Sequence, residues 1–174
     1  QSANSGTLAT GLEVYQGTNA VFRFAKRTGK SGWLDERKNT ASEKTWEKFD
    51  TSIHRRIRGV KLSGKVTLPS YYEGKPITYI YNGGFTSQDE ITHIFWYKGD
   101  GEPQLRQIED SAFGSCRKLI HFEFPASLRR INQYAFVGCA ALQNNILGQN
   151  LLYIGNNAFN ACLSLQNLEI PGSI

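Results

Sequence analysis

The sequence predicts an α/β solenoid, in which short units of one chain stack side by side around a shared core. Two observations support this fold class. Apolar residues and cysteines recur every 23 residues through the last hundred positions, and the units contain short alternating segments that are typical of β-strands. A unit of this length cannot bury its apolar face alone, so neighbouring units must cover one another.

Three consecutive units share four core positions, at which an isoleucine is followed at fixed offsets by phenylalanine, cysteine and leucine. The predicted repeat core comprises Ile108, Phe113, Cys116, Leu119, Ile131, Phe136, Cys139, Leu142, Ile154, Phe159, Cys162 and Leu165. A period of roughly 20–29 residues with these residue types at fixed offsets indicates a leucine-rich-repeat solenoid. We expect a short horseshoe with a parallel β-sheet on its concave face and short helical turns and loops on its convex face.

A fainter copy of the pattern precedes these units by 28 residues. It contains Ile80 and Phe85, and it carries Gln88 where the later units carry cysteine. The extra residues fall in the segment 97–107, whose glycines and proline indicate a loop. We therefore predict a repeat domain over residues 61–174, with about four turns of 23–28 residues and an incomplete last unit.

Each unit should contain one strand and one turn. The segment 119–124 alternates apolar and polar residues, and Pro125 can end this strand without removing a hydrogen bond from the sheet. The segment 110–116 is too short for a full helix and is expected to form a helical turn on the convex side. Equivalent side chains superpose in stacked units, so we expect one continuous column of rings, formed by Phe113, Phe136 and Phe159.

One unit departs from the strand pattern. Asn145 occupies the position of Phe122, and Ile146 stands at the outward position of Glu123. Either Asn145 is buried with its amide satisfied, or the strand shifts locally and exchanges the two side chains. We favour the shift, because a buried amide without a hydrogen-bond partner is costly.

The three cysteines all occupy the same inward repeat position. Free cysteine is among the most buried residue types, so this position favours unbridged thiols in the core. Neighbouring units could still bring two sulfur atoms within bridging distance, and a disulfide stays open on geometry alone. No Cys/His pair has the spacing of a metal site, and no metal or other cofactor is predicted.

The repeat resembles a known family. The unit IEDSAFGSCRKLIHFEFPASLRR, with Ala112, Phe113 and Cys116 in the usual places, is similar to the BspA-type leucine-rich repeat of bacterial surface proteins. The segment KVTLPSYYEGKPITYI resembles the entry into the first full repeat of such proteins. The resemblance covers about residues 66–174. It implies a secreted or cell-surface location and an adhesin-like protein that binds host or matrix proteins. No signal peptide in the chain supports that location.

Charge divides the chain unevenly. Residues 1–75 contain 14 Lys and Arg against 7 Asp and Glu, whereas residues 76–174 contain 6 against 8. An acidic glycan is therefore a possible partner of the basic N-terminal region, although an ordinary solvated surface explains the charge as well. Nucleic acid is not expected, because no binding motif accompanies the charge. No apolar run is long enough for a membrane span.

Residues 1–60 carry no repeat motif and are predicted to form a β-rich cap. Leu12 and Val14, together with the run 20–24, indicate short strands around a turn. A capping-box pattern and apolar residues at helical spacing predict a helix over about residues 41–53. Its apolar side would cover the first repeat.

No pattern of catalytic residues is present, and we predict that the chain is not an enzyme. The segment 59–65 follows a phosphate-binding loop for seven positions, but Val66 replaces the Ser or Thr that meets magnesium, and a strand follows instead of a helix. No nucleophile elbow, zinc-protease motif or calcium loop occurs. We therefore predict no catalytic, cofactor-binding or metal-binding residues.

The concave face is the candidate binding surface. Its predicted outward residues are His93, Phe95, Tyr97, His121, Glu123, Asn144, Asn167 and Glu169. Exposed aromatic residues beside polar groups often anchor protein interfaces, although ordinary strand decoration would look the same. We predict a protein-interaction module. The alternatives are a glycan- or polyanion-binding envelope module that acts through the basic N-terminal region, and a structural spacer.

Overall fold

The computed structural model describes residues 4–7, 12–15, 21–25, 52–55, 62–72, 74–80, 82–144, 146–166 and 168–172. These residues form β-strands and turns, and they contain no helix. The strands are β1 (Asn4–Thr7), β2 (Leu12–Tyr15), β3 (Val21–Ala25), β4 (Ser52–Arg55), β5 (Gly64–Leu68), β6 (Tyr71–Tyr72), β7 (Lys75–Pro76), β8 (Tyr79–Ile80), β9 (Ile91–Trp96), β10 (Gln107–Ile108), β11 (His121–Phe122), β12 (Arg130–Ile131) and β13 (Tyr153–Ile154).

The long sheet follows the repeat. It contains eight strands in the order β1-β2-β3-β4-β8-β10-β12-β13. The last four strands are parallel, and their register places Ile80, Ile108, Ile131 and Ile154 side by side. This is the isoleucine position of the repeat, so stacked units hydrogen-bond through the same short strand each time. The predicted leucine-rich-repeat solenoid with parallel strands is confirmed.

The N-terminal strands continue the long sheet. β2 and β3 pair antiparallel, which confirms the two predicted strands; the turn predicted between them lies outside the described residues. The predicted helix over 41–53 lies mostly outside the described residues, but its last two positions are wrong, because Ser52 and Ile53 belong to β4. β4 pairs in parallel with β8 and places Ile53 opposite Ile80. The parallel register of the long sheet therefore extends one strand further than the repeat pattern indicates.

The turn side of each unit differs from the predicted helical turn. The backbone amides of the segment 109–116 alternate between two kinds of acceptor. One set donates to carbonyls within the segment, as Ala112 does to Glu109 (3.1 Å), and the other set donates to carbonyls of the next unit, as Phe113 does to Ala135 (2.8 Å). Ser111 and Ser115 have positive φ angles of 56° and 59°. A helix cannot form here, because half of its amides are committed to the neighbouring unit.

The predicted ring column is confirmed and is longer than expected. Adjacent rings lie nearly parallel with centroids 5.1 to 5.4 Å apart, in the order Phe85, Phe113, Phe136 and Phe159. In the two middle units of the repeat, the isoleucine, phenylalanine, cysteine and leucine are all fully buried, whereas Ile154, Phe159 and Leu165 of the last unit are partly buried. The solenoid core is thus continuous and becomes more exposed toward the last unit.

The cysteines form a second column beside the rings. All three are unbridged and buried, as predicted. Each thiol donates to the carbonyl of a phenylalanine in the preceding unit, as Cys139 Sγ does to Phe113 O at 3.1 Å. The hydrogen bond with Cys116 and burial raise the pKa of the Cys139 thiol, and burial raises that of Cys162 to about 12. The thiolate forms of Cys139 and Cys162 are therefore disfavoured.

A second, shorter sheet is formed by a different segment of the repeat units from the one that forms the long sheet. It contains β5, β9 and β11 in parallel, with β9 in the middle. In the following unit, Leu147 is buried and Ile146 is 57% exposed, so the predicted exchange of Asn145 and Ile146 is wrong for Ile146. A parallel bridge to Glu169 holds Ile146 at its outward position. Asn145 lies outside the described residues.

Candidate functional site

The outer face of the short sheet brings three predicted residues together. The sheet register places His93 on β9 opposite His121 on β11, and Phe95 lies two residues after His93 on the same face. Ring centroids are 5.9 Å apart for His93 and Phe95, 5.7 Å for Phe95 and His121, and 6.4 Å for the two histidines. We call His93, Phe95 and His121 the aromatic triad. All three side chains are partly exposed.

Burial favours the uncharged form of the His121 ring. Burial and the neighbouring His93 lower the pKa of His121, and Glu123 opposes this shift. His93 Nδ1 lies 2.9 Å from the hydroxyl of Thr92, which holds that ring on the surface of β9. The triad therefore offers a largely apolar ring surface with a few polar edges.

The Glu123 side chain, beside the triad, forms hydrogen bonds that stabilise the end of β9. Its carboxylate accepts hydrogen bonds from the Trp96 amide (3.0 Å) and from the Lys98 ammonium (2.5 Å). Its backbone carbonyl accepts a further bond from the Trp96 indole at 2.9 Å. Glu123 thus supplies hydrogen-bond acceptors to the last residue of β9, beyond the end of β11. Together with Lys98 it forms a charged border beside the triad.

The Asn144 side chain also binds backbone groups of the short sheet. The Phe122 amide donates to its side-chain oxygen at 2.9 Å, and its side-chain nitrogen donates to the Phe122 carbonyl at 3.0 Å. One side chain therefore replaces the backbone pairing that a further strand would give to β11. Asn144 lies beside the predicted binding face, but its amide is occupied by the fold.

Tyr97 and Glu169 have other neighbours. The Tyr97 ring lies against Gly99, so close that a side chain at Gly99 would overlap its hydroxyl. Glu169 is exposed opposite Ile146, in the last described unit. Asn167 lies outside the described residues. The structure therefore brings together three of the eight predicted residues, and Glu123 borders them.

The sequence prediction missed residues of β5. Lys65 pairs with His93 and Thr67 pairs with Phe95 in the parallel register, which extends the face to a third strand. Lys65 and Thr67 each also take part in a hydrogen bond or another electrostatic or ring contact. The alternation of Lys65 and Thr67 with the buried Val66 and Leu68 is the signal that could have identified them.

The described residues contain no group of three or more His, Cys, Asp or Glu side chains arranged to hold a metal ion. Within the same part of the chain, no helix is long and apolar enough to cross a membrane.

Comparisons with known proteins agree with the fold. The sequence model described as "BspA type Leucine rich repeat region (6 copies)" matches residues 64–174. No curated protein matches the chain. A solved structure, the T. pallidum leucine-rich repeat protein (TpLRR), is similar with 24% identity and a TM-score of 0.53. The similarity covers 68% of this chain and 63% of that chain.

The structural similarity shows the fold alone, and the chain matches less than two thirds of the T. pallidum protein. The family model matches well over half of this chain, over the segment in which the isoleucine, phenylalanine and cysteine columns stack. Leucine-rich-repeat solenoids generally present an extended surface for protein binding. The chain belongs to the BspA-type leucine-rich repeat family.

Proposed function

We propose that this protein is a non-enzymatic, adhesin-like module at the cell surface or in the secreted fraction of a bacterium, and that it binds a host or matrix protein. The aromatic triad on the short sheet is the observation that carries the proposal. The family supports the surface location, since its repeats resemble those of bacterial surface proteins.

The triad has the composition of a protein-binding anchor. Aromatic rings are enriched at the centres of interfaces, where they bury much area at little cost in side-chain entropy. The charged groups of Lys98 and Glu123 stand at the border and form an ion pair with each other. A partner can therefore cover the rings without burying an unpaired charge.

Rigid backbone holds the triad in place. β9 pairs with a strand on each side. The Glu123 side chain binds the Trp96 amide beyond the end of β11, and the Asn144 side chain binds the Phe122 backbone at the free edge of β11. A partner then meets a surface that does not have to become ordered on binding, which lowers the entropic cost of association.

A binding screen tests this function. The purified chain is passed over immobilised fibronectin, fibrinogen and an acidic glycan at low and high salt. Exposed charge interactions weaken strongly as salt rises, whereas ring burial does not. Binding to a protein ligand that persists at high salt supports the proposal. Failure to bind any protein would contradict this proposal and favour a structural spacer.

A second candidate is a polyanion-binding module that acts through the N-terminal region. The observation that favours it is the excess of Lys and Arg over acidic residues in residues 1–75. Binding confined to the acidic glycan and lost at high salt would establish this candidate in place of the first.

A further inference from the structure

Three arginines cluster on the side of the repeat units that carries the long sheet. The amides of Arg129 and Arg130 both donate to the carbonyl of Arg106, at 2.9 and 3.0 Å, so the three backbones meet at one oxygen atom. Arg106 is exposed, and Arg129 and Arg130 are half-buried. We call these three residues the arginine cluster. They lie on or next to β10 and β12, and each of these strands is paired on both sides.

The sheet neighbours of the arginine cluster do not balance its charge. The residues beside the arginines in the long sheet include no acid; they are Thr78, Tyr79, Gln107, Leu152 and Tyr153. Neither Arg106 nor Arg129 forms an ion pair within the part of the chain that the structure describes. Like charges side by side in a sheet repel each other, so the cluster attracts an anion from outside the fold.

The lysines of residues 76–174 differ from these arginines, because both have acidic partners. Lys98 pairs with Glu123, and Lys118 pairs with Glu90, in each case between neighbouring units. The four residues lie next to the ends of β9 and β11 in the short sheet. The fold therefore balances the charges of these two lysines itself, and it leaves the positive charge of the arginine cluster for a ligand.

Contacts within the fold hold two of the guanidinium groups in place. Arg129 Nη1 donates to the carbonyls of Ala126 (3.4 Å) and Ser127 (2.9 Å). The guanidinium carbon of Arg130 lies 4.1 Å from the centroid of the Tyr153 ring. A guanidinium carries five N–H donors in a planar fork that matches carboxylates and tetrahedral oxyanions. Because the backbone contacts use one nitrogen of Arg129, the rest of its fork can bind an anion without first becoming ordered.

Local composition and topology favour an acidic glycan as the source of that anion. The neighbours of Arg106 in the sheet and the adjoining loop include Thr78, Gln107 and Ser127, which are polar and do not form the apolar centre typical of a protein interface. The long sheet also continues into β4 to β1, and residues 1–75 contain 14 Lys and Arg against 7 Asp and Glu. A linear polyanion can contact both regions and gain affinity from each.

We propose that the arginine cluster is a binding site for an acidic glycan, whose carboxylate or sulfate groups accept hydrogen bonds from the guanidinium groups of Arg106 and Arg129. The site lies in the repeat domain and beside the long sheet. It is therefore distinct from the aromatic triad on the short sheet and from the N-terminal region of the second candidate function. Glycan binding here does not require protein binding by the triad.

Binding of the full chain to immobilised heparin and hyaluronan, measured by biolayer interferometry at low and high salt, tests the proposal. We expect binding to at least one of these glycans, with an affinity that falls as salt rises. Arg106→Gln combined with Arg129→Gln should weaken this binding at least about tenfold, because two charge-assisted donors are lost. Arg106→Gln alone changes an exposed residue and should remain folded, and it should weaken binding in the same direction.

Arg117→Gln combined with Lys118→Gln is the matched control. It removes the same charge from two exposed neighbouring residues outside the arginine cluster, and it should leave the glycan affinity unchanged. Poly-L-glutamate serves as the competitor that represents an acidic protein segment, and it should displace the glycan less well than free glycan does. Binding to hyaluronan would assign carboxylate as the recognised group, and binding to heparin alone would assign sulfate; both results support the site.

Four results would overturn the proposal. The first is the absence of binding to either glycan, and the second is equal weakening by the two double variants. The third is full affinity in the variant that lacks Arg106 and Arg129, which would assign the glycan to the N-terminal region. The fourth is displacement by poly-L-glutamate as effective as that by free glycan, which would assign the site to an acidic protein segment.

Discussion

The turn side and the outer face of the short sheet belong to the same repeat units, yet they repeat very differently. On the turn side, four phenylalanine rings stack with nearly equal spacing, and each unit uses the same backbone hydrogen bonds. On the short sheet, the outward positions change from an aromatic triad to a carboxylate, an amide and an isoleucine.

This difference shows which residues the stacking constrains. A ring in the column contacts equivalent rings on one or both sides, so a substitution in one unit disturbs its neighbours. The outward rings of the aromatic triad lie outside this column and have no such requirement. The column therefore provides the scaffold, and the outer face is free to carry recognition.

The largest expected effect is a loss of stability when a ring is removed from the phenylalanine column. Phe136→Ala should lower the free energy of unfolding by about 3–5 kcal/mol, the usual cost of emptying a fully buried aromatic site. Phe136 is stacked between Phe113 and Phe159 and also contacts Phe122 and Phe124. Denaturant melts measure this loss.

Phe159→Ala provides the matched control for this prediction. Phe159 stacks on a ring of one neighbouring unit and is partly buried, so its loss should be clearly smaller. Equal losses for the two variants, or a loss below about 1 kcal/mol for Phe136→Ala, would contradict continuous stacking.

A smaller effect is expected on the short sheet, from Asn144→Ala. The change removes both hydrogen bonds between the Asn144 amide and the Phe122 backbone, and it should cost about 1–2 kcal/mol in the same melts. Asn150→Ala is the control, since the exposed Asn150 amide makes one hydrogen bond, to the Ala126 carbonyl. Equal costs for both variants would show that Asn144 does not replace a strand.

The smallest effect is a pH dependence that originates in the triad. The pKa of folded His121 lies below its ordinary value of 6.5, so the unfolded chain takes up the proton first as the pH falls. His121 therefore lowers stability as the pH drops below about 6.5, until the folded ring is also protonated. Urea melts at neutral and mildly acidic pH should show a smaller loss on acidification for His121→Gln. An unchanged or larger loss for that variant would contradict a lowered pKa of the partly buried His121 ring.

The column could be predicted from the sequence because stacking imposes a period. The 23-residue interval among Phe113, Phe136 and Phe159 implies that equivalent side chains superpose. The turn geometry was not predictable in this way. Ser111 and Ser115 adopt positive φ without being glycines, because amides shared with the next unit stabilise that backbone.

The arrangement of residues on the proposed binding face was predicted in part, from strand alternation. Alternation shows which side chains leave the core, and it correctly placed His93 beside His121. It does not show whether an outward side chain is already occupied. Glu123 binds the Trp96 amide, which lies beyond the end of the two-residue β11, and Asn144 binds the Phe122 backbone on the side of β11 that has no neighbouring strand in the short sheet.

Two aromatic substitutions test the central claim, that the outer face of the short sheet is the binding surface. Phe95→Ala removes the middle ring of the triad, and Tyr134→Ala removes a partly exposed ring from the turn side. Affinity for the protein ligand is measured for both variants by surface plasmon resonance. We predict that Phe95→Ala weakens binding by at least about tenfold, in the range of an anchor residue, and that Tyr134→Ala leaves it unchanged. Full affinity in a folded Phe95→Ala variant would contradict the claim.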